Sequence, residues 1–91
     1  MPQKRTIQVT IVNRLGLHAR PAMAFVDLAS SFNCDVRVRR GDQEVDGKSI
    51  MHMMMLAATK GTVLDVTCEG DDAPRAAEAL QRLVNGGFDE D

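Results

Sequence analysis

The sequence predicts an α+β fold in which a four-stranded antiparallel sheet carries three helices on one face. Four short segments alternate apolar and polar residues, the period-2 pattern of strands with one buried and one solvent-facing side. Two further segments repeat apolar residues at helical spacing and a third, short one is rich in helix-tolerated residues, so the order along the chain is strand, helix, strand, strand, helix, strand, helix. Because every strand is amphipathic, we expect all three helices to cover the same face of the sheet.

The first half of the chain supplies a strand, a helix and a hairpin. Alternation predicts the first strand at about 6–12, and apolar residues at helical spacing predict a helix over about 19–31. Alternation resumes at 34–39 as the second strand. The pair 41–42, Gly-Asp, predicts a hairpin turn into a short third strand at 43–45.

The second half supplies a short helix, a strand and a longer helix. Ser49 is a good N-cap for a helix at 50–57, a segment rich in the unbranched residues that helices tolerate. The fourth strand is predicted at 64–69. The third helix has Pro74 in its first turn and the glycines 86–87 past its end.

Composition excludes several classes of function. The chain has 91 residues, a formal net charge of −2 and 3% aromatic residues, so no nucleic-acid partner is indicated. Cys34 and Cys68 form no CxxC pair and fall on the buried sides of their strands, so we interpret both as core residues. No segment has the apolar run of a signal peptide or a membrane span. We therefore expect one cytoplasmic domain over 1–91 that does not insert into a membrane.

The segment 15–22 is the most informative for chemistry, because it places His18 where a loop turns into a helix. A helix start presents unpaired N–H groups and partial positive charge, which stabilise an anion such as a phosphoryl group. Gly16 gives the loop freedom to bring the imidazole to the surface, and Pro21 favours helix entry. Arg20 adds a guanidinium that can bridge phosphate oxygens. Neutral imidazole is a competent nucleophile.

The residues alone leave two interpretations of this segment open. His18 is either a phosphoryl acceptor or merely part of a helix start. A hydrolytic triad is poorly supported, because no serine stands in a nucleophile-elbow context and the second histidine, His52, belongs to another segment.

The run 16–22, Gly-Leu-His-Ala-Arg-Pro-Ala, resembles the active-site signature of the HPr family of phosphocarriers, and the resemblance extends over nearly the whole chain. It implies an open-faced β-sandwich fold and no bound cofactor. It also implies that enzyme I, charged by phosphoenolpyruvate, phosphorylates His18, that Arg20 stabilises the phosphoryl group, and that IIA-type partners receive it. We expect the carrier to be a monomer.

Two other segments are similar to different branches of that family. The run 46–51 resembles the regulatory-serine region, which implies phosphorylation of Ser49 by an HPr kinase/phosphorylase. A plain N-cap explains the same serine equally well. The run 87–91 instead resembles the ending of the nitrogen-system paralogue NPr, and we expect its acidic residues 89–91 to fray. Whether sugar uptake or nitrogen and carbon regulation is served stays open.

The Met-rich segment around His52 has two interpretations. Thioether and imidazole ligands suit copper(I), but adjacent helical residues do not share a face, so we favour a contact surface and expect no metal. The predicted docking residues combine the start of the first helix with part of the second: Leu17, Ala19, Ile50, Met51 and Met54. Besides the phosphocarrier and the metal-binding protein, another hypothesis for the whole chain is a regulatory binding module that acts through Ser49 and protein contacts rather than phosphoryl transfer.

Overall fold

A four-stranded sheet and three α-helices make up residues 3–90, the part of the chain that this computed structural model describes. The elements in chain order are β1 (Gln3–Thr10), α1 (Ala19–Ser30), β2 (Asp35–Arg40), β3 (Gln43–Asp46), α2 (Ile50–Met55), β4 (Val63–Gly70) and α3 (Ala73–Asn85), and a 3-10 turn follows at Gly87–Asp89. The strand order is β1-β4-β2-β3, and every neighbouring pair is antiparallel. The predicted fold class and element order are confirmed.

The boundaries of two elements, β1 and α2, differ by two residues or more from those predicted, and the other strands and α1 differ by one residue at one or both ends. β1 begins at Gln3 because it pairs along its whole length with β4, so the ladder starts before the first alternating apolar residue, Ile7. It ends at Thr10 rather than at residue 12. α2 ends at Met55, two residues early, because Ala57 adopts a φ of +49°, which lies outside the right-handed helix.

One apolar cluster joins the sheet to the helices. The alternating residues of β2 and β4 and the apolar stripes of α1 and α3 all contribute to it. Cys34 and Cys68 are buried there as free thiols, which confirms their interpretation as core residues. Burial, with the neighbouring Cys34 as a further cause, raises the pKa of the Cys68 thiol to about 11, so it stays protonated at neutral pH. Within residues 3–90, no helix is long and apolar enough to cross a bilayer.

Backbone hydrogen bonds hold the loop between β1 and α1 against the loop that precedes β4. The Ile11 N–H donates to the Thr62 carbonyl at 2.9 Å, and the Gly61 N–H returns a bond to the Ile11 carbonyl at 2.7 Å. The Leu17 N–H donates to the Ala58 carbonyl at 2.8 Å. These bonds fix the entry into α1, and with it the position of the next residue, His18.

The segment after α3 is ordered over its described residues. Gly87, Phe88 and Asp89 take left-handed φ values of +69°, +57° and +60°, and the Phe88 side chain is buried in the core at 8% exposure. The prediction that the acidic tail frays is therefore wrong for Asp89 and Glu90, because the buried phenyl ring anchors them; Asp91 lies outside the described residues. The anchored segment turns back toward the start of α1, where Glu90 meets His18.

Candidate functional site

His18 is the N-cap residue of α1, as predicted. Its backbone is extended, with φ −81° and ψ −170°, and its carbonyl accepts the Ala22 N–H at 3.0 Å as the first bond of the helix. The imidazole makes no capping bond, and 38% of the side chain is exposed. The ring is therefore accessible beside a helix start whose first N–H groups have no partner within the helix.

An ionised carboxylate is hydrogen-bonded to one nitrogen of the His18 ring. The Nε2 of His18 lies 2.9 Å from the Oε1 of Glu90. The hydrogen bond from His18, with a second from Asn13 and the charge of Arg20, holds the pKa of Glu90 below its usual range. A carboxylate only accepts hydrogen bonds, so Nε2 must carry the proton, and in a neutral ring Nδ1 then has a free lone pair.

Asn13 connects the loop before α1 to the segment after α3. Its side chain is buried, and its Nδ2 donates to the Gly16 carbonyl at 2.7 Å and to the Oε1 of Glu90 at 2.9 Å. Among residues 3–90, its Oδ1 has no hydrogen-bond partner. Sequence analysis missed both Asn13 and Glu90; the one signal for Glu90 is an acidic residue placed two positions after the aromatic residue Phe88.

The cleft at His18 has a positive rim. It is lined by Arg14, Leu15, His18, Arg20 and Glu90. Arg20 is exposed, and the structure brings it to the same cleft as His18, as predicted. Two guanidinium groups facing a single carboxylate leave the cleft suited to a small anion.

Ser49 occupies a separate position at the start of α2. Its Oγ accepts the His52 N–H at 3.2 Å, which confirms the predicted N-cap. The Nδ1 of His52 accepts the Asp46 N–H at 3.3 Å, so this ring closes the turn before α2. Neither Ser49 nor His52 lines the cleft at His18.

The predicted docking residues do not all reach the surface. Ala19, Ile50, Met51 and Met54 are exposed, and we call these four residues the docking surface. Leu17 must be removed from it, because the bond from its N–H to Ala58 turns the residue inward, where its exposure falls to 5%. Within residues 3–90, no three His, Cys, Asp or Glu side chains are arranged to hold a metal ion.

Comparison with known proteins connects this geometry to a family. The family model described as the PTS HPr component phosphorylation site matches residues 5–86. The chain belongs to the HPr family. A phosphocarrier protein HPr from Pseudomonas aeruginosa is 52% identical over 85 residues, which cover 92% of this chain and 94% of the relative. The phosphocarrier protein NPr of Escherichia coli is 37% identical over 92 positions that cover both chains in full.

Solved HPr structures share the fold. The crystal structure of HPr from Thermoanaerobacter tengcongensis superposes with a TM-score of 0.92 at 39% identity, covering 96% of this chain and 98% of that one. The open-faced sandwich implied by the resemblance is thus confirmed. Membership of the HPr family makes the chain a phosphocarrier of the phosphotransferase system.

Proposed function

We propose that His18 accepts a phosphoryl group from enzyme I and passes it to IIA-type partners. The observation that carries this proposal is the accessible imidazole at the start of α1, with Nε2 against the Glu90 carboxylate and Arg20 in the same cleft. The helix start and the guanidinium both favour the negative charge of the arriving group.

The transfer needs no proton movement at His18. The lone pair of Nδ1 attacks phosphorus, the N–P bond forms, and the bond from phosphorus to the donor breaks with its electron pair left on the donor atom. The ring keeps its Nε2 proton and becomes a cation opposite Glu90. The same displacement in reverse hands the group to the next protein.

Incubation with enzyme I, magnesium and phosphoenolpyruvate tests the proposal. Intact-mass spectrometry of the full chain should show the mass increase of one phosphoryl group, and acid should remove it, as expected for phosphohistidine. The enzyme I preparation must be shown to be active on a reference carrier. An unmodified chain, also with the enzyme I from its own organism, would exclude the phosphoryl-acceptor function.

The docking surface is proposed as the contact for enzyme I and for the IIA-type partners. Its Ile and Met side chains are apolar, exposed and adaptable, which suits a patch that several partners use in turn. It adjoins the site in the fold, since Ala19 directly follows His18 and α2 packs on α1.

A charged substitution on the docking surface should weaken partner binding. In Met54→Glu, the KM for the chain in the enzyme I reaction is expected to rise about tenfold, because a carboxylate replaces an apolar contact side chain. Val63→Glu is the matched control: Val63 on β4 is 46% exposed against 41% for Met54 and lies outside the docking surface. Equal KM values for the two variants would contradict the assignment.

Ser49 is proposed as the site of regulatory phosphorylation by an HPr kinase/phosphorylase. It directly precedes the docking residues Ile50 and Met51, so a phosphate there adds charge at the edge of the surface. Incubation with the kinase and ATP should give an acid-stable adduct that Ser49→Ala lacks. An adduct that persists in Ser49→Ala would contradict the assignment.

The capping role of Ser49 predicts a separate effect on stability. Ser49→Ala removes the acceptor of the His52 N–H and should lower the free energy of unfolding by about 1 kcal/mol. Ser49→Asp keeps a capping oxygen and should retain most of that stability. Urea denaturation of the three proteins measures the difference. If Ser49→Ala is as stable as the parent, the observed bond does not stabilise α2.

We further propose that residues 1–91 act as one monomeric carrier domain in the cytoplasm. One apolar cluster joins all three helices to the sheet, which supports a single folding unit. Phosphoenolpyruvate is a cytoplasmic metabolite, so a carrier that enzyme I charges works there.

A further inference from the structure

Glu90 is held against His18 by two hydrogen bonds to the same oxygen. Its Oε1 lies 2.9 Å from the His18 Nε2 and 2.9 Å from the Asn13 Nδ2. Asn13 is itself fixed, because it is 1% exposed and its amide also donates to the Gly16 carbonyl. The carboxylate is therefore positioned by the loop that carries the imidazole.

The backbone conformation of the three residues before Glu90 also fixes its position. Three consecutive residues, Gly87 to Asp89, are left-handed, and two of them are not glycine, a conformation that persists only where the surroundings enforce it. The buried side chain of Phe88 supplies that enforcement, and the Glu90 N–H donates to the Gly87 carbonyl at 3.0 Å to close the turn. An unfavourable backbone turn therefore places the carboxylate of Glu90 beside the imidazole of His18.

The charges that face this pair come from two directions. Arg14 from the loop and Arg20 from α1 line the same cleft as His18 and Glu90. Hydrogen bonds from His18 and Asn13 and the charge of Arg20 lower the pKa of Glu90, so the group is a carboxylate throughout the neutral range. It accepts hydrogen bonds and cannot donate one.

We propose that Glu90 is a positioning residue for phosphoryl transfer: it holds the Nε2–H tautomer of His18 and offsets the positive charge of the ring after Nδ1 has bound phosphorus. The inference rests on the proposed function of His18. In the free carrier the carboxylate keeps the Nδ1 lone pair available. In the phosphorylated carrier the same carboxylate faces the Nε2–H of a cationic ring, so it stabilises the loaded form.

Three variants separate these two effects from a general effect on the fold. Glu90→Leu removes both the acceptor and the charge. Glu90→Gln keeps an acceptor oxygen but removes the charge. Asp89→Asn is the matched control, because it removes the same charge from the neighbouring residue, which is exposed and whose side chain makes no hydrogen bond to His18 or Asn13 within residues 3–90.

Nitrogen-15 NMR of the His18 ring, at a pH where the ring is neutral, reports the tautomer without any partner protein. Parent, Asp89→Asn and Glu90→Gln should show Nε2–H, whereas Glu90→Leu should show a mixture of both tautomers. The rate of phosphorylation by enzyme I should fall about fivefold in Glu90→Leu and less in Glu90→Gln, since the pair is partly exposed and its effect is correspondingly modest. The phosphoryl group should be lost faster from both Glu90 variants than from Asp89→Asn.

The outcomes distinguish this inference from the proposed function. A parent chain that enzyme I does not phosphorylate removes the function itself, whatever the tautomer. If the parent is phosphorylated and Glu90→Leu keeps a pure Nε2–H ring, the positioning role is overturned. Circular dichroism of Glu90→Leu verifies that the fold is retained. If it is not, the rate of phosphoryl loss from Glu90→Gln provides the test, and a rate equal to that of Asp89→Asn would overturn the role of the carboxylate.

Discussion

The His18→Ala variant is expected to carry no acid-labile phosphoryl group after incubation with enzyme I, magnesium and phosphoenolpyruvate. Removal of the imidazole takes away the nucleophile, and none of the described residues that share its cleft, Arg14, Leu15, Arg20 and Glu90, offers a second imidazole. The loss should be complete within the detection limit of intact-mass spectrometry. The fold should survive, because the imidazole makes no capping bond to α1 and over a third of it is exposed.

The second histidine of the chain is the matched control for this prediction. His52 is exposed on α2, outside the cleft, and its Nδ1 is occupied by the Asp46 N–H. His52→Ala should therefore be phosphorylated to the same extent as the parent. An acid-labile adduct on His18→Ala that disappears in the double variant would assign the acceptor to His52 instead. A regulatory module that acts only through contacts predicts no adduct on any of the proteins.

The architecture could be predicted because strand alternation and helix periodicity are local signals. The period-2 pattern of residues 34–39 and 64–69 was sufficient to place β2 and β4, and Ser49 and Pro74 marked helix starts. The ends of elements depended on partners instead. β1 starts at Gln3 because Gly70 pairs with it, and nothing within the first six residues encodes that contact.

The candidate site was predictable only in part for the same reason. His18 and Arg20 could be found because a loop, a proline and a helix start are adjacent in sequence. Glu90 is 72 residues from His18, and its approach depends on where the left-handed turn directs the chain once Phe88 is buried. Three acidic residues at a chain terminus have the composition of a solvated tail, which led to the wrong expectation for Glu90.

The loop before α1 links these contacts. It is bonded to the segment preceding β4 through Leu17 and Ala58, and to the segment after α3 through Asn13 and Glu90. Gly16 stands between them, donating its N–H to the Asn13 carbonyl and accepting the Asn13 side chain. A substitution at Gly16 that disturbs these bonds should therefore both displace His18 and separate it from Glu90.

The Gly16→Ala variant is expected to lower both stability and phosphoryl transfer. Gly16 has a φ of +71°, and a Cβ there would lie 2.6 Å from the Ala58 carbonyl oxygen and 2.9 Å from the Thr59 Cα. Both are backbone atoms, so the two loops must separate and the bond from Leu17 to Ala58 is lost. Strain and overpacking together should cost about 3 kcal/mol, and a shift of about 1 Å at His18 should slow transfer on the order of a hundredfold.

Gly41→Ala isolates the contribution of the clash. Gly41 has a similar φ of +58°, lies in the turn between β2 and β3, and has no atom within 4 Å of an added Cβ. Its substitution should cost only the left-handed strain, about 1 kcal/mol, and leave transfer unchanged. Chemical denaturation gives the stabilities and the enzyme I reaction gives the rates. A larger loss of stability and of phosphorylation rate in Gly16→Ala than in Gly41→Ala would show that contact between the two loops holds His18 in place. If Gly16→Ala is no less stable than Gly41→Ala and is phosphorylated equally fast, that contact does not hold His18 in place.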